Sequence, residues 1–235
     1  MSDARRAALA QLIDHAPLFP PASLPMPEAL DEDRRARADE SSWLLARLVW
    51  PASRLDELED EERALSVLLD GPYGGDPRVQ AIETRWESGL EGLTGEVYVE
   101  LPLDDELEER VAELAERGLR AKVRCGGAEV PSRAELGRFL RVCRDARVPF
   151  KATAGLHHPL ATDERHGFLN VVAACAFADE GALEGQISLT PEALRWGERK
   201  AGAEELARVR REQLVAVGSC SFFEPLDELT ELGIL

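Results

Sequence analysis

The chain has 235 residues and no apolar run near the ~18 residues a membrane span needs, which excludes a transmembrane helix. The opening segment, Met1 to Ala10, lacks the continuous apolar core of a secretory leader, so none is expected. Only four cysteines occur, Cys125, Cys143, Cys175 and Cys220, widely spaced and without a CxxC pair. A disulfide framework and a structural zinc site are therefore both poorly supported, and the expectation is reduced thiols in a soluble, cytoplasmic protein. Basic charge is also scarce. Twenty-eight Lys and Arg stand against 45 Asp and Glu, a net charge of -17, which leaves no basic footprint for nucleic acid or an anionic membrane. Cofactor fingerprints are missing too. Gly71-Pro72-Tyr73-Gly74-Gly75 follows a strand but fits neither a P-loop nor a dinucleotide-binding turn. Ser219-Cys220-Ser221 lacks the GxSxG framing of a hydrolase elbow. No internal repeat is found, and no cofactor is indicated.

What is present is an alternation of strand-like apolar runs with acidic, leucine-spaced helical runs, the pattern of repeated β-α units around a parallel sheet. The length suits one barrel-sized domain. The runs predict strands near 44–51, 65–70, 79–85, 97–101, 120–125, 150–154 and 214–219. They predict helices at 106–117, 132–146, 167–178 and 203–213. Residues 1–42 read as an N-terminal extension: an amphipathic helix over Asp3 to His15, an extended strap over Leu18 to Pro27, and a short charged helix from Ala29. Pro17, Pro20, Pro21, Pro25 and Pro27 forbid regular structure in the strap, which should lie across a surface or over a pocket. Residues 43–235 form the barrel domain. Two features make that barrel irregular or incomplete. The links 71–78 and 86–95 are short for a parallel crossover, so either covering helices are lost or an antiparallel hairpin intervenes. The span 179–199 supplies a seventh strand, a small hairpin, or neither. The fold class is α/β, TIM-barrel-like.

Polar side chains fall at matching phase along four of these strands. Glu83 and Arg85, then Glu100, then Lys122 and Arg124, then Lys151 and Thr153, alternate with apolar or small residues. Because the helix-facing side of a barrel strand must be apolar, the charged set should point inward near the C-terminal mouth, where such folds place their chemistry. Four cations against two anions leave a positive excess that an anionic small molecule would complete, with the planar arginine forks suited to carboxylate or phosphate.

Lys151 stands out, because a buried ammonium is costly unless paired or neutralised. The expectation is an enzyme acting on a small anionic carbonyl compound, with Lys151 as imine-forming nucleophile. Lys122 and Arg124 would lower its pKa by like charge, since an amine attacks only when neutral. Glu100 or His157 would move the proton. Arg85 and Arg124 would hold the acidic group, with Glu83, Lys122, Thr153 and Ser219 completing the binding set. Adjacent His157 and His158 should point apart on extended backbone, so a metal would have to recruit Glu83, Glu100 or His166, and no metal is assigned. His166-Gly167-Phe168 opens a helix whose free N–H groups favour an anion. Two other readings remain open: a non-catalytic anion-binding barrel, and an interaction protein whose inner charges form only a salt-bridge network. No nucleic-acid or membrane partner is expected, and the oligomeric state is open.

Phe150-Lys151-Ala152-Thr153-Ala154-Gly155 resembles the lysine-bearing strand of class I aldolases of the deoxyribose-phosphate type, with Ala121-Lys122-Val123 in the place of the preceding barrel strand. The resemblance spans about Arg120 to Gly155 and implies a Schiff-base role for Lys151 alone. A second activating lysine and a glycine-rich phosphate loop are not evident between Ala178 and Ser221. More broadly, Lys151 to Pro159, His166 to Asn170 and Gly218 to Phe222 together resemble an uncharacterised bacterial (β/α)-barrel family.

Overall fold

The computed structural model describes residues 3–58, 62–127 and 130–235; the middle of the acidic run from Asp56 to Glu62 lies outside the described residues. Eight parallel strands close into a barrel: β1 (Ile13–His15), β2 (Leu45–Pro51), β3 (Leu65–Leu68), β4 (Val79–Arg85), β5 (Val97–Glu100), β6 (Arg120–Arg124), β7 (Phe150–Thr153) and, after a small separate sheet, β11 (Leu214–Ser219), which returns to β1. The fold is thus the α/β, TIM-barrel-like architecture expected from the alternation of runs. All seven expected barrel strands are present.

The eighth strand corrects the reading of the N-terminus. The opening helix α1 (Ala4–Leu9) stops well short of His15, the chain turns at Gln11 with φ 49°, and residues 13–15 insert between β2 and β11. The first 42 residues are therefore not a mere extension: they complete the barrel. The span 179–199 supplies no barrel strand. It carries β8 (Ile187–Leu189) and β9 (Leu194–Trp196), which pair with β10 (Arg199–Ala201) in an antiparallel three-stranded sheet outside the barrel.

The short links are parallel crossovers without α-helices. Between β2 and β5 every pairing is parallel, and no α-helix separates those strands among the described residues. Their outer faces still need cover, and it comes from elsewhere. Leu48, Trp50, Leu65 and Val67 pack with Leu18, Met26, Leu30 and Leu55, so helix α2 (Met26–Ala38) and the segment after β2 replace the missing helices. Helix α2 begins three residues earlier than expected, with Pro27 in its first turn, where a missing N–H costs nothing.

On the other side the β-α units are regular. Helix α3 (Leu107–Arg117) ends at Gly118, whose φ of 67° suits a glycine C-cap, and leads into β6. Helix α4 (Arg133–Ala146) starts at a capping box between Ser132 and Glu135 and buries Leu136, Phe139, Leu140 and Cys143. Phe139 meets Phe150 edge-to-face at 5.3 Å, fixing α4 against β7. Helices α5 (Phe168–Phe177) and α6 (Ala203–Glu212) complete this half, and α7 (Phe223–Glu231) follows β11. The N-terminal end of the barrel is closed by Arg210 of α6. Its guanidinium donates to the carbonyls of Ala8, Ala10, Gln11, Leu214 and Val215, and burial lowers its pKa to about 10. No helix among the described residues is long and apolar enough to cross a membrane.

Candidate functional site

Strand alternation places Glu83, Glu100, Lys122 and Lys151 inside the barrel, while Val97, Val99, Val123 and Ala152 on the same strands join the outer apolar core. Register brings them to one level: Glu100 pairs with Lys122, and Lys122 with Lys151. The result is a ladder of alternating charge. Lys122 Nζ lies 3.0 Å from Glu100 Oε2 and 3.1 Å from Glu83 Oε2, and Lys151 donates to Glu83 Oε1. Ser66 of β3 donates to the same Glu83 oxygen at 2.8 Å.

The far end of the ladder is Asp14, a residue not expected in the site. Its Oδ2 is 2.7 Å from Lys151 Nζ, its Oδ1 accepts from the Arg47 backbone N–H at 3.0 Å, and both Asp14 and Lys151 are fully buried. Asp14 corrects the expected charge excess. Deep in the barrel, Asp14 and Glu83 balance Lys151 and Lys122; the surplus positive charge is confined to the mouth. There Arg85 and Arg124 are exposed; Arg124 is 4.0 Å from Glu100, and Arg85 has no ion pair among the described residues.

The protonation of Lys151 is also corrected. Burial alone would lower its pKa, but Asp14 and Glu83 outweigh burial and the like charges expected to act, so the pKa is raised and the resting group is an ammonium. Glu83 responds in the opposite sense. Burial pushes its pKa up, but Lys151 and Lys122 pull it down to about 2.

Above the ladder is a cavity of about 350 Å³ bordered by Glu83, Arg85, Lys122, Arg124, Lys151 and Thr153. Phe19, Pro20 and Pro21 border it too, so the proline-rich strap lies over this pocket. A second groove, of about 540 Å³, shares Arg85, Glu100 and Arg124 with it. The loops after β6 and β7 meet at the rim through Gly126 and Gly155: a Cβ at Gly126 would lie 2.7 Å from the Ala154 carbonyl oxygen.

Of the expected residues, Lys151, Glu83, Lys122, Glu100, Arg85, Arg124 and Thr153 converge on the mouth. His157 borders the cavity, but its Nδ1 faces Glu224 Oε2 at 2.7 Å. Ser219 does not join them. Asp14 pairs in register with Gly218, which faces inward against Thr153, so Ser219 turns outward and donates to the Ser221 carbonyl at 2.5 Å. The start of α5 holds no room for an anion. The Phe168 and Leu169 N–H groups are bonded to the carbonyls of His158 and Pro159, each at 2.9 Å. His166 sits apart, its Nε2 2.8 Å from the Pro131 carbonyl.

Asp14 carried little sequence signal, because a three-residue strand is too short to show a period. Its one clue is an acidic residue following Leu12-Ile13 just before a proline-rich break. No family model, curated protein or solved structure matches this chain.

Proposed function

We propose that the barrel is an enzyme acting on a small anionic carbonyl compound, with Lys151 forming an imine as in class I aldolase-type lyases. The observation that carries this reading is the separation of charge along the barrel axis: a mouth left net positive, where Arg85 and Arg124 stand against Glu100 alone, and two lysines on the cavity floor beneath it. A carboxylate or phosphate held by Arg85 and Arg124 would direct a carbonyl carbon toward the lysines. Thr153 borders the same space as a hydroxyl donor.

Lys151 must shed a proton before it attacks. Glu83 touches both lysines and is the nearest acceptor, with Lys122 and Glu100 continuing the path to the mouth. The same carboxylates that oppose deprotonation favour the product of attack, since a protonated imine keeps the positive charge of the ammonium it replaces. The barrel therefore slows the first step and stabilises the electron-withdrawing iminium that follows. This reading gives no step to His157.

A second reading has its own support. Each lysine in the ladder has carboxylates within 3.1 Å, which is what a salt-bridge network filling a barrel requires. Borohydride trapping separates the two. The protein is incubated with a panel of 2-oxo acids and aldehyde phosphates, reduced, and mapped by mass spectrometry. The expected result is a reduced adduct on Lys151 of the wild-type chain, diminished in Arg85→Met and Arg124→Met. An absence of adducts across the panel overturns the imine mechanism. Retained anion affinity without an adduct would select a binding barrel, and loss of stability alone in the lysine variants would select the network.

A further inference from the structure

Beside the cavity, and independent of the lysine chemistry, His157, His158 and Glu224 bring three metal-ligating side chains together. Adjacent residues on extended backbone send their side chains to opposite sides, so this pair was expected to diverge. It does not. The chain turns through Ala154 and Gly155, with φ of 53° and 92°, and the two imidazoles face each other at 4.3 Å between centroids. The loop is pinned by the N–H groups of Phe168 and Leu169, and Glu224 is presented by the first turn of α7.

We propose that His157, His158 and Glu224 form a binding site for a single divalent transition-metal ion, with zinc the best match. Two imidazoles and one carboxylate are a donor set that zinc uses with a fourth position open. One candidate ligand atom from each residue lies within 4.8 Å of the others. For bonds of ~2.0–2.1 Å in a tetrahedron, ligand atoms are ~3.3 Å apart. The two imidazoles approach different oxygens of the same carboxylate, His157 Nδ1 lying 2.7 Å from Glu224 Oε2 and His158 Nε2 3.9 Å from Glu224 Oε1, so a small rotation of the Glu224 carboxylate would set one oxygen between them.

Two further observations distinguish this cluster from an ordinary ion-paired surface. The His157 Nδ1 atom is buried and makes no hydrogen bond among the described residues, despite its short approach to Glu224. The approach to Glu224 thus lacks hydrogen-bond geometry, and a cation between the two groups would give both a well-directed partner. The second is the support behind His158. Its Nδ1 is 2.5 Å from Glu228 Oε1, and a carboxylate at the far nitrogen orients an imidazole and makes it a better donor to a metal.

Arg165 is the competing cation. Its Nη1 lies 2.8 Å from His158 Nε2, on the nitrogen an ion would use. Arg165 is exposed, so its guanidinium can return to water as the ion enters. Because His157 also borders the mouth cavity, the ion would sit at its rim.

The test is calorimetric titration of the metal-stripped full chain with zinc, together with the absorption spectrum of the cobalt-loaded protein. Expected are one ion per chain and visible cobalt bands of tetrahedral intensity. His158→Ala and Glu224→Gln should each weaken zinc at least ~100-fold, and Glu228→Gln ~10- to 100-fold as a supporting partner. Arg165→Ala should tighten binding several-fold, while His166→Ala and Cys220→Ser leave it unchanged. If any histidine variant unfolds, the wild-type cobalt spectrum and the Arg165→Ala gain still decide the matter. Sub-stoichiometric zinc uptake, octahedral cobalt bands, or affinity insensitive to Glu224→Gln would overturn the proposal.

Discussion

Replacing Glu83 with Gln removes the one carboxylate shared by both buried lysines. Lys151 keeps Asp14 at 2.7 Å and Lys122 keeps Glu100 at 3.0 Å, so neither ammonium loses every partner. Each ammonium nevertheless passes from two carboxylates to one, and the positive excess of the interior, counted with Arg85 and Arg124, rises from one charge to two. Breaking a buried pair from one side costs ~3–5 kcal/mol, and at ~2–4 °C per kcal/mol for a chain of this size the melting point should fall by roughly 6–20 °C. A second replacement should recover part of this loss. In Glu83→Gln with Lys122→Met, Asp14 and Lys151 remain as a balanced buried pair, and Glu100, which is near the mouth, turns to Arg124. The double variant should therefore be at least ~1 kcal/mol more stable than Glu83→Gln alone. Urea denaturation at pH 7 measures both quantities. A pH series adds a sign. The Glu83 pKa is depressed in the folded state to about 2, so its contribution is complete above the ordinary carboxylate pKa near 4.5 and is lost as pH falls toward 2. Glu83→Gln should flatten that part of the acid limb. A single variant within ~1 kcal/mol of wild type, or a double variant less stable than the single one, would refute the charge-ladder account.

Other predictions concern different parts of the barrel. His15 is buried with its Nδ1 3.1 Å from Asp33 and its Nε2 3.6 Å from Glu32; burial lowers its pKa, but the two carboxylates outweigh burial and raise it. Its contribution is present below pH 6.5 and lost as pH rises through the higher folded value, so His15→Gln should remove a decline in stability that begins as pH rises above about 6.5 in urea titrations. Gly126→Ala forces a methyl group to 2.7 Å from the Ala154 oxygen, where backbone must move. It should lower stability by ~1–3 kcal/mol in thermal melts and reduce anion affinity at the mouth; an unchanged melting point would mean the two loops are not in close contact.

Seven of the eight barrel strands were legible in the sequence because each is long enough, or flanked clearly enough, for its apolar run to show. The inward charges of β4 to β7 were legible for the same reason: period-two alternation states which side chains share a face, whatever the partners turn out to be. The helices that aim β6 and β7 were readable from leucine spacing and from the breakers at their ends, Gly118 after the first and Pro131 before the second. These elements need only local information.

Tertiary structure decided the rest. Three residues at 13–15 have no period of their own and become a strand only because β2 and β11 leave a gap between them. That gap brings Asp14 against Lys151 and reverses the expected direction of the lysine pKa. Ser219 was assigned inward on polarity, but the interior beside Thr153 has space only for Gly218, and close packing sets the phase. His157 and His158 come within 4.3 Å of each other in a loop that leaves β7 through positive-φ turns and is held by the start of α5, and Glu224 reaches them from a helix 67 positions along the chain. Sequence alone determined which charges the barrel would enclose; which ones touch, and therefore which carry protons, depended on contacts between distant segments.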